Sequence, residues 1–375
     1  MGFWNGFGYI WDDLSVGVVH ALAAMGVNVI GIDLCNVEPH AFSKPYSRDS
    51  VGLDFQQTCQ ELIRLRDQFT QNPVIFSSGE KPTAMLAEHN ETLSKHFNFY
   101  WTKPTKLYGI IDKSRTPDLC RETGIAYPVT HVTSREEDVA AAAKNFTFPC
   151  IVKPNLVTQD WNVRGGFPGR HFVARSSQEL TEFYDEFPWL RGGTIWQQLI
   201  EGADSDIFQC TALINRSGRL VASVCVRKLR QNPRRYGSMS YGRTEWSNEV
   251  VSRTMKLVKT LGLTGYLSVE FKYQHDTDEY YFIELNPRLP AYNAFFPLTG
   301  VNLAHLGYSD LCGFDLPDRC IQRNFVYWMT IGNVSRKEPL RTLKEGAHVA
   351  PSWRTFVECQ IKPYAVRAIY KHIRR

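Results

Sequence analysis

Phe282-Ile283-Glu284-Leu285-Asn286-Pro287-Arg288 is the stretch on which the reading of this 375-residue chain turns. Glu284 and Asn286 share one face of a strand at the i, i+2 period, and Arg288 follows a proline that bends the chain. The segment predicts the second strand of a hairpin, residues 280–285, joined through His275-Asp276-Thr277-Asp278 to a first strand over 266–273. Glu270 on that first strand can lie opposite Glu284 and Asn286, so three hard oxygen donors converge. Such a set suits a nucleotide-bound Mg²⁺, which completes its shell with phosphate and water. Arg288 can neutralise a transferring phosphoryl group. One carboxylate here would read as a solvated strand end; three donors in register read as a site.

Upstream, Cys150-Ile151-Val152-Lys153-Pro154 predicts a strand ending in a lysine, followed by Asn162-Val163-Arg164-Gly165-Gly166-Phe167-Pro168-Gly169. Glycines in such a loop let backbone N–H groups approach phosphate oxygens. Lys113 precedes them. Two lysines, a glycine loop and an acidic hairpin in this order form a nucleotide-binding set.

Around these motifs the chain alternates elements. Residues 16–25 have helical spacing with Gly26 as C-cap, and 27–33 is an apolar run of buried-strand length. With a helix over 56–69 and a strand at 73–76, residues 1–108 predict a small α/β domain, in which Asn5-Gly6-Phe7-Gly8 reads as a first turn with almost no strand before it. Thr116-Pro117 signals a helix closed by Gly124, Thr133/Ser134 with Glu136/Glu137 a helix to about Lys144, and Ser176 with Glu179 a third. Strands are expected at 149–153, 171–174 and 194–200, a hairpin over 207–230 around Asn215-Arg216-Ser217-Gly218, and a helix over 247–261 ended by Gly262. Residues 145–200 form a β-rich lobe, and 311–375 an aromatic, basic segment.

Composition narrows the class. At 43% hydrophobic and 22% charged the chain is globular, and the +5 balance of 43 basic over 38 acidic residues is too small to indicate a nucleic-acid partner. Nine cysteines without a Cys-x-x-Cys pair indicate neither zinc nor a disulfide framework and suit a reducing cytosol. The best apolar stretch, residues 16–32, is too short and too interrupted to cross a bilayer.

The motifs resemble those of the ATP-grasp superfamily, over about residues 112–311, with a fainter likeness of residues 1–108 to the α/β domain that precedes it. Ser268-Val269-Glu270-Phe271 with Phe282-Ile283-Glu284-Leu285-Asn286-Pro287-Arg288 looks like the paired metal strands and terminal arginine of biotin carboxylase and D-alanine–D-alanine ligase. Ile111-Asp112-Lys113 and Ile151-Val152-Lys153-Pro154 look like the two lysines that contact ATP phosphates, as Gly165 and Gly166 would. Trp196-Gln197-Gln198-Leu199-Ile200-Glu201-Gly202 resembles the linker at the nucleotide, with the backbone of Gln198 and Ile200 at the adenine edge and Asp204 or Asp206 at the ribose. Gln197 and Gln198 stand where the family usually has an acidic residue. Within the superfamily the likeness is to carboxylate–amine ligases such as D-aspartate ligase, through Val226-Arg227-Lys228-Leu229-Arg230-Gln231-Asn232-Pro233, which implies Arg230 near the reacting carboxylate.

The resemblance thus implies an α/β protein with α+β lobes: a pre-ATP-grasp domain at 1–108, an ATP-grasp domain at 109–310 with a lid at about 145–200, and the tail at 311–375. The expected activity is an ATP-dependent carboxylate–amine ligase, with Arg288, Arg230 and Lys153 catalytic, Lys113, Lys153, Gly165, Gly166, Gln197, Gln198, Ile200 and Asp206 on ATP, and Glu270, Glu284 and Asn286 on the metal. ATP and Mg²⁺, with Mn²⁺ as a substitute, small-molecule carboxylate and amine partners, and a cytoplasmic location complete the expectation. A phosphotransferase and a binding-only relative are the alternatives, and the intact Glu270, Glu284, Asn286 and Arg288 set argues against the second. Residues 362–375 form a basic amphipathic stretch, read first as a docked terminal helix and second as a membrane-surface contact.

Overall fold

The computed structural model describes residues 5–9, 13–33, 48–50, 55–77, 79–136, 138–155, 171–232 and 235–329. Two compact units emerge: Met1–Leu107, Ala203–Glu270 and Asn286–Arg375 form the first, Tyr108–Gly202 and Phe271–Leu285 the second. The glycine loop, with Gly165 and Gly166, and the stretch 362–375 lie outside the described residues.

The first unit opens with four parallel strands, β1 (Asn5–Tyr9), β2 (Asn28–Asp33), β3 (Arg48–Ser50) and β4 (Ile75–Phe76), in the order β3-β2-β1-β4. Asn5-Gly6-Phe7-Gly8 is therefore strand, where the sequence suggested a turn. β1 has a neighbour on each side, Asn5 to Tyr9 against Asn28 to Ile32 and Phe7 against Ile75. A two-sided ladder satisfies the backbone groups and outweighs the poor strand preference of two glycines. The helix Asp13–Ala23 feeds β2 as expected, and Gly26 takes the left-handed φ of +77° that lets the Val27 N–H reach Leu22 O at 3.2 Å. Its buried face, Val18, Val19 and Leu22, joins Val29, Val74, Phe76 and Phe296 in the main core of this unit.

The second unit holds an antiparallel sheet of β5 (Thr130–Val132), β6 (Cys150–Pro154), β7 (Phe172–Ala174) and β8 (Thr194–Gln198), ordered β5-β8-β6-β7. Its core gathers Val152, Leu180, Phe183, Tyr184 and Trp196. Ser176 caps the helix Ser177–Glu186 by accepting from the Glu179 N–H at 3.2 Å, and Glu179 accepts from Arg175 N at 2.9 Å. Two expected caps are replaced. Asp138, not Thr133 or Ser134, caps the short helix Val139–Ala143 through Ala141 N at 3.0 Å, because Thr133 is buried and bonded to Thr194 O at 2.9 Å. Thr116 lies inside its helix, and the preceding turn is capped instead by Asp112, which accepts from Ser114 N at 3.0 Å.

The third sheet has six strands, β9 (Ile207–Ile214), β10 (Leu220–Asn232), β11 (Ser238–Thr244), β12 (Gly265–Gln274), β13 (Glu279–Asn286) and β14 (Tyr327–Met329), in the order β13-β12-β9-β10-β11-β14. Both expected hairpins are present. In the first, Asn215 Oδ1 accepts from Ser217 N at 3.1 Å and Arg219 N at 2.9 Å, and Gly218 adopts φ +79°. β12 leaves the first unit after Glu270, and β13 returns to it at Asn286.

Candidate active site

β12 alternates. Leu267, Val269 and Phe271 are fully buried, while Ser268 and Glu270 share the opposite face. On that face Ser268 Oγ lies 3.1 Å from Thr211 Oγ1 on β9 and donates to Arg288 O at 3.0 Å, which pins the backbone of the expected phosphoryl-binding arginine. The Arg288 N–H also closes on Asn286 O at 2.9 Å around Pro287.

Glu270 does not stand alone. Its Oε2 accepts from Lys228 Nζ at 2.6 Å, and the two side chains are only 13% and 5% exposed. Lys228 comes from β10, one strand beyond β9. Two ions withdrawn from water hold each other only because the contact is close and hydrogen-bonded. The same carboxylate's charge adds to burial in pushing the Tyr292 phenol well above its usual range, and Tyr292 OH donates to Gln209 Oε1 on β9. Lys228 was missed by sequence reasoning, although it lies two residues before Arg230 in the segment already singled out. An alternating strand places such i, i+2 residues on one face, but here the β10–β11 register shifts between Lys228 and Arg230 and again at Gln231. The pairing partner of Arg230 is Tyr241.

Asn286 ends β13 buried, and Glu284 is half-buried two residues before it. Glu270 Oε1 carries no hydrogen bond among the described residues, and carboxylate and amide oxygens such as those of Glu270, Glu284 and Asn286 are of the hardness magnesium takes. Among the described residues no group of three or more His, Cys, Asp or Glu side chains is placed to enclose a metal alone.

At the entry to the first unit, both aspartates expected at the ribose are engaged. Asp204 accepts from Gln231 N at 2.9 Å and Gln231 Nε2 at 3.0 Å. Asp206, buried, accepts from Ala203 N at 2.7 Å and has Arg227 at 3.9 Å. Arg227 is further held by Ser205 O and by Glu245 at 3.1 Å.

In the second unit β6 and β8 bring Lys153 and Gln197 together. Lys153 Nζ donates to Gln197 Oε1 at 2.6 Å, and the buried glutamine turns its Nε2 towards Thr130 Oγ1 at 3.4 Å. Lys113 is joined to the same segment through its backbone, donating to Asn155 O at 2.9 Å, so the turn that carries Lys113 is stitched to the residue just past β6, which carries Lys153. The Gln198 N–H is taken by Val129 O at 2.8 Å, and Ile200 follows the end of β8. Burial, assisted by the charge on Lys153, pulls the His171 imidazole below its usual range.

Residues 110–291 match the family model of the ATP-grasp domain. These residues form an ATP-grasp domain. Acetyl-CoA carboxylase 2 of Oryza sativa subsp. japonica is 27% identical over 162 residues, which is 42% of this chain and 7% of that protein, so the chain spans a small fraction of the curated relative it matches. Among solved structures, the biotin carboxylase domain of Hydrogenobacter thermophilus 2-oxoglutarate carboxylase, bound to MgADP, ADP and bicarbonate, superimposes with a TM-score of 0.64 at 15% identity, covering 87% of this chain and 74% of that one. The L-amino acid ligase of Bacillus licheniformis gives 0.60 at 15% identity, over 82% and 74%. At such identities the likeness shows a shared ATP-grasp fold. No helix among the described residues is long and apolar enough to cross a membrane.

Proposed function

We propose that the chain is an ATP-dependent ligase that joins a carboxylate to an amine through an acyl phosphate, releasing ADP and phosphate. The observation that carries the proposal is the polar face on which Glu270 is fixed by Lys228 and the Arg288 backbone by Ser268, inside a matched ATP-grasp domain. The nucleotide-bound and ligase relatives support it.

In this reading Lys113 and Lys153 bind the phosphates of ATP. Glu270, Glu284 and Asn286 would hold Mg²⁺, which supplies positive charge against the β- and γ-phosphate oxygens when bound; Mn²⁺ would serve as its substitute. Arg230 orients the carboxylate, whose oxygen attacks the γ-phosphorus while the bond to the β-phosphate oxygen breaks. Arg288 offsets the charge that develops on the transferred group. The amine then adds to the acyl carbon, phosphate leaves, and the amine proton is lost to solvent. Positioning and electrostatics suffice, and no side chain is consumed as a nucleophile. A small-molecule role in the cytoplasm follows from the same reading.

The test is a screen of carboxylate and amine pairs for equal release of ADP and free phosphate, with hydroxylamine replacing the amine to trap a hydroxamate. Glu284→Gln should lower turnover by ~10²-fold or more at limiting magnesium, the scale of losing one key electrostatic group. A stable phosphorylated product without free phosphate would replace the ligase by a phosphotransferase.

A further inference from the structure

Lys228 stands on β10 directly opposite Gly242 of β11, which has no side chain to meet it, and its ammonium reaches the other way, across β9, to Glu270 on β12. The two side chains are only 5% and 13% exposed, yet one carboxylate oxygen alone is used. Lys228 Nζ donates to Glu270 Oε2 at 2.6 Å, while Oε1 carries no hydrogen bond among the described residues. The Tyr292 phenol, pushed up first by burial and then by the Glu270 charge, gives its proton to Gln209 Oε1 and not to the carboxylate. A lysine suits such a one-point hold. Its ammonium is a compact charge, whereas a guanidinium presents a fork that matches both oxygens of a carboxylate.

We infer that Lys228 is a positioning residue that occupies one oxygen of Glu270 and leaves the other as a single-oxygen ligand, which selects a small octahedral divalent cation over calcium. Magnesium takes its ligands at about 2.0–2.1 Å in a near-ideal octahedron, and one oxygen per carboxylate serves it fully. Calcium takes about six to eight oxygens at about 2.3–2.6 Å and gains from a carboxylate that binds through both. A carboxylate whose Oε2 is tied to an ammonium withholds that second oxygen from calcium and takes nothing that magnesium needs. The inference rests on the proposed role of Glu270 at the metal of a magnesium nucleotide and adds how the chain chooses that metal.

The experiment follows calorimetric binding of MgADP, CaADP and ADP in EDTA to the full chain, to Lys228→Met and to Lys228→Arg. The parent should bind MgADP more tightly than CaADP. Lys228→Met frees Oε2, so the ratio of CaADP to MgADP affinity should rise by ~10-fold or more, since the ligand set tunes calcium affinity over decades. The lost positive charge acts on both complexes and drops out of that ratio. ADP in EDTA, which bypasses the metal, gauges general damage to the site. Lys228→Arg keeps the charge beside Glu270 and is the variant to read if Lys228→Met does not fold. Its fork can take both carboxylate oxygens, so it should weaken MgADP and CaADP together by ~10-fold or more, the loss of one ligand oxygen, while ADP in EDTA binds as before. A parent that takes CaADP as tightly as MgADP would overturn the inference. So would an unchanged ratio in Lys228→Met or, where only Lys228→Arg folds, an unchanged MgADP affinity. If magnesium adds nothing to ADP binding by the parent, the metal role of Glu270 falls, and with it the part of the ligase reading on which the inference stands. A magnesium-dependent parent whose preference survives Lys228→Met loses the inference alone.

Discussion

Lys228 and Glu270 carry the largest electrostatic stake of any single residue pair in the described site. Replacing Lys228 with Met leaves an unpaired carboxylate at a position only 13% exposed, and losing one partner of a buried pair costs ~3–5 kcal/mol. Lys228→Met should therefore lower the urea midpoint markedly, while Lys228→Met with Glu270→Gln should recover much of the loss, since a neutral pair carries no stranded charge. A double variant no more stable than the single one would show that packing, not charge, sets the cost. At this scale the sequence supplied Glu270, Glu284, Asn286, Arg288, Lys113 and Lys153 as candidates, because hard donors and cations at strand ends stand out in one dimension. It could not supply Lys228 as the partner of Glu270, 42 residues away along the chain and separated from it by a strand of the sheet.

Elements were legible where a local signal had no competitor. Ser176 caps its helix as read, and Gly124 and Gly262 end theirs at φ +59° and +60°, while Ser247, read as the first residue of its helix, is the cap in front of it. Thr133 failed as a cap because its hydroxyl is spent on Thr194 and Gly192 inside the sheet, a tertiary demand that no window of sequence contains. β11 shows a similar constraint. Gly242 lies directly opposite Lys228, and a Cβ there would collide with Met239 Sδ and press on the Arg227 carbonyl at 3.0 Å. Gly242→Ala should thus cost about 1–3 kcal/mol, as overpacking does elsewhere, read as a lower denaturation midpoint. An unchanged midpoint would mean that β10 and β11 yield at no cost.

At the scale of the whole molecule, three of the described histidines respond to pH in the same direction. Burial lowers His20, His171 and His305 from the ordinary 6.5, with Lys153 adding to the effect at His171. A depressed value means that the unfolded chain binds protons first as pH falls. The stability these sites contribute is therefore complete above 6.5 and is lost as pH falls through the folded values. Denaturation midpoints should decline from about pH 7.5 to about pH 5.5, before most carboxylates titrate. A midpoint that rises over that interval would contradict the half-buried, neutral state of these rings. At the same scale the chain folds non-contiguously. Residues 203–270 pack with the N-terminal unit and Phe271–Leu285 with the second, a division that composition along the chain does not mark.

By itself the sequence determined the local content: the amphipathic helices, the two hairpins, the acidic and amide donors on alternating strand positions and the lysines at strand and turn ends. Those follow from periodicity and residue chemistry within a few neighbours. Tertiary structure decided that Asn5-Gly6-Phe7-Gly8 is a central strand, that Gln197 accepts from Lys153, that Asp204 is satisfied by Gln231, and that Glu270 is paired with Lys228. Each of these depends on which distant backbone supplies the partner for a buried polar group, and that partner exists only once the sheets have assembled.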